Sequence, residues 1–145
     1  MTHRRTSIRA AVVSLLAGAS TSAGSRVYDT RLFPANTQPA VIVTTPSDNY
    51  SEMVGLTGIG DFMRELTVQV EAYAQANSAL GSSLDTLCEE IEAAIFADPY
   101  LADESITFRI LRVRLESTSL EYTLETDPQG GRAQLQFVYT YEEAN

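Results

Sequence analysis

The chain has little of what small proteins use to staple themselves together or to carry out covalent chemistry. In 145 residues there is one cysteine and one histidine. Cys88 has no partner for an internal disulfide, and without a second thiol or a histidine cluster it cannot anchor a metal site. Stability is therefore expected to come from packing. The only histidine, His3, lies in a terminus expected to fray, so a Ser-His-Asp or Cys-His arrangement lacks its base. Positive charge is also scarce. Ten Lys and Arg against nineteen Asp and Glu leave a formal charge of −9 and a pI near 4.5. That balance argues against a protein that coats nucleic-acid phosphates, which needs clustered cations to displace counterions. No apolar run is long enough to cross a bilayer. Gly55, Gly58 and Gly60 miss the phosphate-loop spacing, and no Gly-Lys-Ser or Gly-Lys-Thr follows them. Neither Asp48 with Asn49 nor Asp98 with Asp103 fits a calcium loop. The Cys88-Glu89-Glu90-Ile91-Glu92 cluster reads as a solvated helix face. The expectation is a chain that is not an enzyme, with no catalytic residue, no metal and no cofactor.

What is present suffices for one core. A hydrophobic content of 44% supports a single domain over residues 1–145. Charge is uneven: His3, Arg4, Arg5 and Arg9 crowd the start, while Glu89, Glu90, Glu92, Glu142 and Glu143 make the remainder acidic. Such polarity suits stacking on other proteins. The opening segment has two readings. Arg4 and Arg5 before the apolar residues 10–19, then small residues to Ala23, imitate a secretory signal peptide. Against this, Ile8, Ala11, Val12, Leu15, Leu16 and Ala19 recur at helical spacing, with Thr6 or Ser7 available as N-cap, as in an amphipathic helix docked on a core.

Beyond a turn in which Gly18 or Gly24 takes positive φ, the pattern becomes extended. Val27, Tyr28 and Thr30 favour a strand that Pro34 ends or redirects. Residues 40–45 are nearly continuous in β-branched side chains and read as a central strand closing at Pro46. Residues 47–61 carry three glycines and no period, which predicts a long loop, here taken as mobile, or an incomplete hairpin. In the run 62–73, Leu66, Val68, Val70 and Ala72 alternate with polar residues, as in a half-buried strand. A helix follows, capped by Ser82 or Ser83, with Asp85 in its first turn and Pro99 beyond its end. Its apolar stripe is Leu84, Leu87, Cys88, Ile91, Ala94 and Ile95. The parity of apolar residues changes between Ile110 and Leu111, which predicts a bulge. Leu120, Tyr122 and Leu124 alternate next, residues 127–131 form a turn, and Ala133, Leu135, Phe137, Tyr139 and Tyr141 mark a last strand. The order reads as α+β, a mixed or antiparallel sheet with an N-terminal and a central helix on one side.

Arg109, Arg112 and Arg114 in one strand could suggest a nucleic-acid-binding sheet, but alternation puts Arg112 and Arg114 on one face, favouring a polar face with Glu116 and Glu121 as cross-strand partners, with a subunit interface between the two readings. Tyr139, Tyr141 and Cys88 read as core, although tyrosine is also frequent at interfaces.

One resemblance covers nearly the whole chain. Residues 26–34, Arg-Val-Tyr-Asp-Thr-Arg-Leu-Phe-Pro, followed by 38–43, Gln-Pro-Ala-Val-Ile-Val, are similar to the opening of the tail terminator proteins of long-tailed bacteriophages, the minor tail protein U-like family. Residues 64–72, 84–99 and 130–141 resemble, in order, a strand, a helix and the closing strand of that family. Phe137 and Tyr141 are in place, while Val138 and Tyr139 are exchanged in phase. The resemblance implies a virion protein at the neck-proximal end of the tail, assembled in the host cytoplasm. It implies a homo-oligomeric ring, generally a hexamer, that binds the tail tube protein, ends tube growth and faces head-completion or connector proteins. DNA passes only as cargo, and neither membrane binding nor catalysis is implied. Within it, the glycine-rich 47–61 segment, with Asp48, Asn49, Tyr50 and Met53, is the candidate tube contact. Arg26, Tyr28 and Arg31 are candidate subunit contacts. Other neck or head-tail joining ring proteins and a secreted binding domain with a cleaved leader are the rival readings.

Overall fold

The computed structural model describes residues 3–19, 21–24, 26–30, 39–52, 61–76, 80–103, 106–123 and 129–144. In chain order these form α1 (Arg4–Gly18), β1 (Val27–Asp29), β2 (Ala40–Glu52), β3 (Asp61–Ala76), α2 (Leu80–Ala97), β4 (Ile110–Thr123) and β5 (Gln129–Ala144). The strands lie side by side in the order β1-β2-β3-β5-β4. β1 runs parallel to β2, and the other neighbours are antiparallel. The fold is thus α+β with a mixed sheet, as the pattern predicted. α1 rests on β1 and β2, α2 rests on β3 and β5, and the helices touch each other.

The core is a plane of alternating residues under two helical stripes. Leu66, Val68, Val70 and Ala72 of β3 stand opposite Tyr139, Phe137, Leu135 and Ala133 of β5, and all eight are fully buried. Ile8, Ala11, Val12 and Leu16 supply the α1 stripe, and Leu84, Leu87, Cys88, Ile91 and Ile95 the α2 stripe. At spacings of three and four residues, each set falls on one side of its helix and seals one region of the sheet. α2 sits so close to β5 that a Cβ on Gly131 would lie 2.5 Å from Cδ1 of Leu84.

Several boundaries differ from the sequence expectation. α1 is capped by His3, not Thr6 or Ser7: His3 has extended backbone, and its Nδ1 accepts from the Arg5 N–H at 3.0 Å. A cap must lie outside the first turn, whereas both hydroxyl residues lie within it. Likewise α2 begins at Leu80, which places Ser82 and Ser83 inside its first turn and Asp85 in the second. Of the two glycines proposed for the turn, Gly24 takes positive φ (59°). The largest difference is in β2. It does not close at Pro46 but runs to Glu52, and residues 47–52 pair with 62–67 of β3. The ladder skips residues 45 and 46 between Thr44 and Ser47, so the proline's missing N–H falls where no ladder bond is required. The expected loop 47–61 is therefore strand at 47–52 and at Asp61, the hairpin alternative, and its remainder, 53–60, lies outside the described residues. β2 lies inside the sheet between β1 and β3, as expected of a central strand, with β3 at the middle.

In β4 the register shifts between Ile110 and Arg112, at the predicted bulge, and again between Leu115 and Ser117. The alternating residues Leu120 and Tyr122 belong to the far half of this one edge strand.

Candidate functional site

Asp48, read from the sequence as part of a contact loop, is a core residue. After the β2 bulge it lies opposite Leu66, on the helix side of the sheet, and its side chain is 3% exposed. Arg64 donates to its Oδ2 at 3.0 Å, the Tyr141 hydroxyl donates to the same atom at 3.0 Å, and Arg5 of α1 stands 3.6 Å away. The carboxylate thereby joins α1, β2, β3 and β5. Burial, followed by the bond to Asp48, pushes the Tyr141 hydroxyl well above its usual range, with Arg64 opposing. Asn49 points to the opposite side of the sheet, opposite Glu65, and is exposed. Tyr50 pairs in the ladder with Arg64, and Met53 lies outside the described residues.

Of the three residues singled out for subunit contact, Arg26 is engaged within the chain: its Nε donates to the Pro39 carbonyl at 2.7 Å, tying the start of β1 to that of β2. Tyr28 is half-buried beside Ile42 on the sheet face away from the helices. Arg31 lies outside the described residues. Arg9 holds the same edge, bonding Asp29 at 2.7 Å and Thr45 at 2.8 Å.

The sheet face away from the helices is a polar belt. Gln136 donates to Gln69 at 3.4 Å, Gln69 donates to Glu71 at 2.7 Å, and the Tyr73 hydroxyl donates to Glu71. Arg112 and Arg114 reach across β5 to Glu65, at 4.0 and 3.5 Å. Their stems roof over Val138 and Thr140, which are only 2% exposed despite facing outward, as long cationic side chains do when only the head stays in water. Of the partners expected for them, Glu116 lies 3.9 Å from Arg114, whereas Glu121 pairs with Arg132 at 2.5 Å.

A groove of about 530 Å³ opens between α2 and β4, lined by Cys88, Ala93, Phe96, Leu115, Thr118 and Leu120, with Asp85, Glu89 and Glu92 on its lip. Leu115, Leu120 and Tyr122 of β4 stand opposite Phe137, Ala133 and Gly131, on the helix side of the sheet, yet neither helix reaches the far half of β4. Phe96, Leu120 and Tyr122 are accordingly 45%, 46% and 41% exposed. Sequence reasoning missed this surface. Its one signal was a strand carrying apolar alternation through residues 120–124 with no second helix left to cover it.

Chemically the arrangement offers little. Among the described residues no three His, Cys, Asp or Glu side chains come together as a metal site. Burial, then Glu92 and Asp85, push the Cys88 thiol up to about 11, so at neutral pH it is not a nucleophilic thiolate. His3, the one histidine, is occupied as the cap of α1.

No protein-family model matches the sequence, and a comparison with curated proteins finds no match. Among solved structures, a chain of the virion of a native gene transfer agent particle shares the fold. The TM-score is 0.65 at 15% identity, and the match covers 98% of this chain and 100% of that one.

Proposed function

We propose that the chain is a structural virion subunit of the tail-terminator kind, which assembles as a ring of six on the end of a tail tube. The ring ends tube growth and presents its other surface to head-completion or connector proteins, while DNA passes through only as cargo. The observation that carries this reading is the end-to-end fold likeness to a chain of a gene transfer agent virion, which agrees with the ordered resemblance of the motifs to tail terminators. In this reading the chain is not an enzyme and needs no cofactor. An open groove with an apolar floor, and no cluster of catalytic groups among the described residues, suits assembly better than turnover. The core weighs against a secreted domain with a cleaved leader. Loss of residues 1–23 would strip out Ile8, Val12, Leu16 and Ala23, each 0% exposed. The fold likeness supports another head-tail joining ring protein equally, so the test must involve the tube.

The mass of the native protein, measured by light scattering with and without tubes of its cognate tube protein, provides that test. A ring-sized species, free or formed only on tube ends, together with arrest of tube growth, is expected. A ring that ignores tubes would favour the other neck protein, and a monomer indifferent to tubes would end both readings. The hairpin end beyond Asn49 keeps the tube-contact role; deletion of residues 54–59 with tail length and head joining unchanged would remove it.

A further inference from the structure

We draw no further inference here: the strongest candidate, the open apolar groove between α2 and β4 beside which Phe96, Leu120 and Tyr122 lie exposed, carries nothing because nothing in the structure shows what covers it.

Discussion

Replacing Asp48 by leucine tests whether residues 47–52 are core strand or exposed loop. The carboxylate is 3% exposed and accepts from Arg64 and from the Tyr141 hydroxyl, each at 3.0 Å. Leucine removes the one oxygen that accepts both bonds, beside a fully buried phenol and a guanidinium whose side chain is 20% exposed. Breaking a fully buried ion pair costs about 3–5 kcal/mol. Arg64 retains some access to water and one carboxylate oxygen of Asp48 already lacks a partner, so about 3 kcal/mol is expected here. For a chain of this length that is a fall in Tm of about 12 °C. Asp48→Asn keeps an acceptor for the phenol and should lose about half as much. Thermal and urea unfolding at one fixed protein concentration would measure both, since assembly makes apparent stability concentration-dependent. An exposed loop residue changes stability by less than about 0.5 kcal/mol. A leucine variant within that margin of the parent would refute the buried cluster and restore the loop.

Three further outcomes are expected. Leu16→Ala, at a position 0% exposed in α1, should destabilise by about 2–5 kcal/mol; a neutral result in chemical denaturation would mean that α1 is dispensable. Gly131→Val should destabilise by at least about 1–3 kcal/mol, because the Cδ1 of Leu84 that its Cβ would meet belongs to a side chain 0% exposed; an unchanged urea midpoint would show that α2 can slide. The folded-state pKa of Cys88 is raised from 9.0 to about 11, so the fold binds this proton more tightly than the unfolded chain, and the stabilisation is present below pH 9 and lost as pH rises to 11. Stability should fall by roughly 2–3 kcal/mol over that window from this group, and an equally steep fall in Cys88→Ala would assign the loss to other groups.

The parts of the fold legible in the sequence are those where one periodicity meets one kind of environment. β3 and β5 are covered by helices on one face and carry a largely polar belt on the other, so Leu66 to Ala72 and Ala133 to Tyr141 alternate with residues that are polar except for Val138, and every residue assigned inward is buried. The α2 stripe is legible for the same reason at helical period. Legibility fails where a local rule is satisfied non-locally. Pro46 reads as a strand end, but a bulge absorbs it, and the bulge is defined by the register against β3 rather than by residues beside the proline. Asp48 reads as a polar turn residue because its partners lie 16 and 93 positions away.

The candidate surface was hidden by a related limitation. Alternation gives the parity of a side chain, which face of a sheet it takes, but says nothing about the strand's lateral position. Leu120 and Tyr122 have the same parity as buried Leu135 and Tyr139 relative to the helices, and differ only in lying on the outermost strand, beyond the reach of α2. Strand order follows from which runs pair, and here β5 inserts between β3 and β4 although β4 comes first in the chain. Once that order is set, the two helices among the described residues do not cover all five strands, and the strip they leave falls at an edge. A monomer would be expected to carry polar residues there, as edge strands commonly do. Leu120 and Tyr122, apolar side chains retained on this strip, mark a surface that association would cover rather than one suited to water.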